Sequence, residues 1–212
     1  MEKGLMHFQN IRITMPLKSV YARLGFRRDR TEIKPSERES VNMMIDEAGD
    51  VVHLKGCARI MGIVRMDKDS IELENGTIFS SSLLARMLTG CTHALLMGAT
   101  AGQGIMDAIN QAAETDNLSR AVVLDAVASE MTDAALDWIM GYTNLDLMRN
   151  SAYLTKKRFS AGYGDFPLEN QKAMYDLLRM DSIGVSITDT CILIPEKSVT
   201  AIAGIEDMGH KI

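Results

Sequence analysis

The stretch Lys157-Arg158-Phe159-Ser160-Ala161-Gly162-Tyr163-Gly164-Asp165-Phe166-Pro167 decides how this chain is read. It has the composition of a loop: two glycines give torsional freedom, and Pro167 stands where a helix can open. Arg158 carries a planar fork of donors able to grip a carboxylate in a bidentate way. Gly162 lets a ligand approach the main chain closely. Tyr163 adds a flat apolar face with a polar tip. That set suits a small zwitterion carrying an aromatic ring. Arg-x-x-x-Gly-Tyr is short enough to arise by chance, so its weight depends on what surrounds it.

Downstream, apolar spacing predicts a helix over 168–180, then strands over 183–187, 191–194 and 198–205. Upstream, a polar span over 143–157 follows a long helix over 119–140, whose apolar face includes Val123, Val127, Met131 and Trp138. Before it come a helix over 105–114 and a short strand over 93–97. A helix carrying Leu84 and Leu88 follows serines able to cap it, and Gly90 closes it. Alternation on both sides of Asn75-Gly76 predicts a hairpin with a type I′ turn, which needs positive φ at both central residues. The apolar run over 51–66, interrupted by Gly56 and Gly62, fits either a strand or a helix. Nearer the N-terminus we expect a strand over 7–13 and a helix opened by Pro16 and stopped at Gly25. A charged connection over 27–39 then leads into a short helix over 37–48. With no internal repeat, the order of elements predicts an α+β domain.

Composition narrows the function classes. The 212 residues are 46% hydrophobic and 24% charged, which excludes disordered and collagen-like chains. A net charge of −5 argues against a dedicated nucleic-acid binder, and no apolar run is long enough to span a bilayer. The N-terminus lacks the apolar core of a secretory signal. Cys57, Cys91 and Cys191 are far apart and odd in number, as expected of reduced cytoplasmic thiols rather than a zinc site. The 16 methionines are read as fillers of a core with few aromatics.

Three other places invite chemistry. A strand, then Gly98, Gly102 and Gly104, then a helix is a layout that offers backbone N–H groups to an anion. Yet no Lys-Ser/Thr pair follows, as a P-loop requires, and Asp107 stands where a dinucleotide fingerprint needs glycine. Cys91 and His93 would share a face of a strand, without a third ligand nearby. Arg27-Arg28-Asp29-Arg30 is a basic cluster that could meet an acidic partner, or simply a solvated loop.

The surroundings of Arg158-x-x-x-Gly162-Tyr163 supply the missing weight. Pro167, Leu177-Leu178, Ile187-Thr188-Asp189-Thr190 and Pro195-x-x-Ser198-Val199 follow it in order. The whole series resembles the activation domain of cobalamin-dependent methionine synthase over about 120–200, and more loosely from about 80. The resemblance implies an α+β fold, a mainly antiparallel twisted sheet with flanking helices. It implies an S-adenosylmethionine-binding region over 80–212, with residues 1–79 as an N-terminal segment of the same domain. Arg158, Gly162 and Tyr163 match the ligand-binding motif, and Ser160 stands at a position whose backbone contacts the ligand. The family's helix carboxylate falls on Asp133, with Asp137 one turn later as its rival. Implied partners are a cobalamin-dependent methionine synthase, or its cobalamin-binding module, and flavodoxin or ferredoxin as electron donor. S-adenosylmethionine would be bound here as methyl donor and cobalamin supplied by the partner. No nucleic acid, membrane or autonomous catalytic residue is expected. The family's Pro-Ala-Cys-Pro after Gly-Tyr is replaced by Gly164-Asp165-Phe166-Pro167, and the chain stops soon after Ser198-Val199, so a more open pocket is expected. The competing reading is an anion- or nucleotide-binding α/β enzyme that uses the glycines of 98–104.

Overall fold

A strand buried on both faces, β5 (His93–Thr100), organises the structure; seven of its eight residues are buried. The structure is a computed structural model and describes residues 4–26 and 34–207. In β5 successive side chains point to opposite faces. Leu95, Met97 and Ala99 enter one core, and Ala94 and Leu96 the other.

Beside β5 lie β2 (Lys55–Met66) on one edge and β9 (Ser198–Asp207) on the other, both antiparallel. The far edge of β2 pairs first with β1 (Leu5–Phe8) and then with β3 (Ser70–Leu73), which pairs with β4 (Ile78–Ser80). β6 (Ala152–Phe159) closes the other edge against β9. Among the described residues this makes a seven-stranded antiparallel sheet, with a separate small ribbon of β7 (Ser186–Ile187) and β8 (Leu193–Ile194). The sheet and its flanking helices agree with the expected fold class.

Helices cover both faces. One face carries α1 (Leu17–Arg23), α2 (Pro35–Val51), α4 (Gln103–Glu114) and α5 (Leu118–Arg149), whose Ile45, Ile105, Leu136 and Ile139 pack on Ala58, Leu95, Ala201 and Ala203. The small residues on β9 let the 32-residue α5, about 48 Å long, lie close to the sheet. On the opposite face α3 (Ser82–Met87), α6 (Asn170–Leu178) and a 3₁₀ turn (Met180–Ile183) enclose Met61, Leu96, Ile202 and Phe166. Met61, Met97, Met174 and Met180 are fully buried, the gap-filling role expected of them.

Several expectations are corrected. The first strand covers Leu5–Phe8 rather than 7–13, because Ile11 instead donates its amide to Leu54 at 2.9 Å and leaves the sheet. The Asn75-Gly76 hairpin forms, but only Gly76 has positive φ, +83°. Its amide returns to the Leu73 carbonyl and the Asn75 side chain bonds Thr77, so the turn is a type I with a left-handed glycine, not type I′. β5 runs on to Thr100, which places Gly98 inside a strand. The 143–157 span is helix to Arg149 and then strand, since no breaker follows Gly141 until Ser151 takes a φ of +55°. Ile183 belongs to the 3₁₀ turn, and Cys191, with φ +63°, precedes β8. The basic cluster at 27–30 lies outside the described residues.

Candidate functional site

Arg158 lies near the end of strand β6, not in a loop, paired with Ala203 of β9 after an irregularity in register between Leu154 and Arg158. Its side chain faces α5 and is about one-fifth exposed. There the guanidinium meets both Asp133, where the resemblance placed the helix carboxylate, and its rival Asp137. One terminal nitrogen donates to Asp133 Oδ1 at 2.6 Å and the other donates to Asp137. The first also reaches the Asp133 main-chain oxygen at 3.4 Å. Asp133 and Asp137 stand one turn apart, the spacing that puts two side chains on one helix face. Burial pulls the Arg158 pKa down, but the bonds to the two carboxylates outweigh it and raise it above its ordinary value. The arginine therefore stays charged in its half-buried setting.

Beyond β6 the chain turns at 160–166. Gly162 has φ +85°, a conformation only glycine takes freely, and donates its amide to the Phe166 carbonyl at 2.8 Å. Tyr163 donates its amide to the Ser160 carbonyl, while its ring is 69% exposed. The loop is fixed from its far side. Phe166 is buried edge-on against Phe79, ring centroids 5.4 Å apart, and lies over Phe159. Asp165 caps α3: it accepts from the Ser82 amide at 2.8 Å and the Ser82 hydroxyl at 2.6 Å, and from Ser81 and Leu83. Hydrogen bonds from the Ser81 and Ser82 side chains hold its carboxyl down at about 2. Gly164 makes the docking possible, because a Cβ there would come within 2.6 Å of Leu83. The substitution of Gly164-Asp165-Phe166 for the resembled family's residues thus anchors the loop through α3. Sequence reading missed this anchor, although Ser81-Ser82 ahead of a helix was its visible half.

Beside Asp133, a small cleft of about 200 Å³ runs between α5 and the start of β9. Its two cations are paired: Lys197 with Asp125 at 2.6 Å and Arg23 with Glu130 at 2.6 Å. Ser198 and Val199 line it, so the Ser-Val pair lies next to Asp133.

The other sequence candidates have structural explanations. Gly98 lies where a Cβ would meet Met180 at 2.9 Å, and Gly102, φ +85°, precedes α4 with His53 O 3.2 Å from a would-be Cβ. Cys91 lies ahead of β5 and is half-buried; burial, then Glu206, pushes its thiol up to about 11. His93 bonds the Thr92 hydroxyl instead of the cysteine. Cys57 is buried and held up at about 12, chiefly by desolvation. Among the described residues no group of three or more His, Cys, Asp and Glu side chains is placed to hold a metal ion, and no helix is long and apolar enough to cross a membrane.

No protein-family model matches the chain, and no curated protein matches it. Its fold is similar to that of the MetH reactivation domain in a crystal structure with AdoHcy bound. The TM-score is 0.63, over 95% of this chain and 78% of that one, at 14% sequence identity. At this identity the likeness establishes a shared fold.

Proposed function

We propose that this chain binds S-adenosylmethionine beside Arg158 and presents its methyl group to a separate cobalamin-dependent methionine synthase, restoring that enzyme by reductive methylation. What carries the reading is a fold shared with a reactivation domain that binds AdoHcy, in which Arg158 and two aspartates converge at the start of the Gly-Tyr turn.

The residues suit the ligand. The Arg158 fork takes the amino-acid carboxylate in place of one aspartate, and the aspartate released turns to the ammonium. Ser160 and Gly162 offer main chain, and the exposed Tyr163 ring offers a face to the adenosine. One arginine against two aspartates leaves the site with excess negative charge. S-adenosylmethionine is net positive, whereas the spent AdoHcy is neutral, so the site favours the donor over the product.

A sulfonium methyl is already activated, so the chain needs no general base or nucleophile; its work is to hold the methyl in line. Cobalamin held by the partner and reduced by flavodoxin or ferredoxin would supply the nucleophile for that methyl group, while Arg158 and the Gly162-Tyr163 turn would hold the donor in place. The test is a reactivation assay using inactive methionine synthase that lacks its own activation domain, with reductant and S-adenosylmethionine. The proposal expects recovery of activity that depends on this chain and is lost with Arg158→Ala. No recovery, or recovery unaffected by that substitution, contradicts it.

A further inference from the structure

A cavity of about 840 Å³ opens between the 9–13 segment joining β1 to α1, the 52–55 segment entering β2, and the start of α4. Its lining is basic. Arg12, His53 and Lys55 line it, and among the described residues no aspartate or glutamate does. Their side chains have no hydrogen-bond or ion-pair partner among the described residues. Elsewhere Arg23, Arg120, Arg158 and Lys197 are each met by a carboxylate. On a chain of net charge −5, this cavity is a concentration of uncompensated positive charge.

We infer that this cavity is a second binding site, for a phosphorylated small molecule of about nucleotide size. Two cations and an imidazole entering from two separate segments match the several oxygens of a phosphate group better than the two of a carboxylate. The volume lies in the range of about 300–1,000 Å³ typical of cofactor and ligand sites, too large for a lone phosphate. Ile13, Met131 and Ile183 add apolar wall for the organic part, and Asn10 adds an amide group to hydrogen-bond it, while Gln103 already donates its side-chain amide to Asp107 at 2.8 Å. The first turn of α4 carries no acidic residue, so its end adds to the positive sign without cancelling it. S-adenosylmethionine, a net cation, is disfavoured here for the same reason that it is favoured beside Arg158.

The test titrates ADP, inorganic pyrophosphate and adenosine into the full chain by calorimetry. Wild type, Arg12→Glu, Lys55→Ala and Arg158→Ala are compared, each first shown folded by its melting curve. Arg12 is exposed and without partners among the described residues, so its replacement leaves the core intact, and Arg12→Gln serves if the charge reversal disturbs folding. The inference expects ADP to bind and adenosine not to. It expects affinity for ADP to fall by about tenfold or more in Arg12→Glu and in Lys55→Ala, and to persist in Arg158→Ala. Tighter binding of ADP than of pyrophosphate would assign the apolar wall to the organic part. Failure of ADP to bind, pyrophosphate binding as tightly as ADP, equal binding of adenosine, or full affinity in both cavity variants would overturn it.

Discussion

Arg158 is the residue on which the site turns, because it is charged, half-buried and already satisfied by two carboxylates. Both aspartates are well exposed, so each pair is worth only a fraction of a buried one, and either can be exchanged for a ligand group. Asp137→Asn removes one negative charge while keeping the shape. We expect the preference for S-adenosylmethionine over AdoHcy to narrow by about two- to fivefold, read from competitive titration of the two ligands. The pairing was partly legible in the sequence: the resemblance placed a carboxylate at Asp133 with Asp137 as its rival, and Arg158 bonds both. The charged cavity was not legible. Arg12, His53 and Lys55 lie in separate segments that only the crossing of 9–13 over 52–55 brings together.

The Arg158 turn depends on an element far from it in sequence, α3, which Asp165 caps. The Asp165 carboxyl is held below its ordinary 3.8, at about 2, by hydrogen bonds to its charged form. Its contribution to stability is therefore complete above about pH 4 and disappears as pH falls toward about 2. The melting temperature of wild type should exceed that of Asp165→Asn at neutral pH, and the gap should close over that interval. A gap constant down to pH 2 would show that Asp165 does not hold the turn. Strand β2 makes a different demand. A Cβ at Gly56 would come within 2.7 Å of Ile139 and 3.0 Å of the Gly98 carbonyl. Gly56→Ala should therefore cost about 1–3 kcal/mol in denaturant unfolding, by forcing α5 away from the sheet. Apolar periodicity could not identify β2, since its Lys55–Ile60 half is covered on both faces and shows no alternation. The expected long helix also ended at Met140, yet Gly141 lies in open space with nothing within 4 Å of a would-be Cβ, and the helix passes through it. Arg158 looked like a loop residue because polar Thr155, Lys156 and Lys157 precede it on an edge strand, where one side faces water.

Across the whole molecule, the two cores meet at β5. Leu95 and Leu96 are neighbours in sequence, fully buried, and point into opposite cores. Leu95→Ala and Leu96→Ala should each cost about 2–5 kcal/mol, and calorimetry should show one unfolding transition in both cases. Separate transitions would mean that the sheet does not couple its faces. That coupling matters to the site, because Arg158 is held by α5 from one core and the Gly162-Tyr163 turn by Phe166 from the other. The measurement that tests the central claim most directly is calorimetric titration of S-adenosylmethionine into wild type, Arg158→Ala and Arg12→Glu. We expect saturable binding to wild type, its loss in Arg158→Ala and its retention in Arg12→Glu. Binding that survives Arg158→Ala, or no binding to wild type, would contradict the assignment of this site.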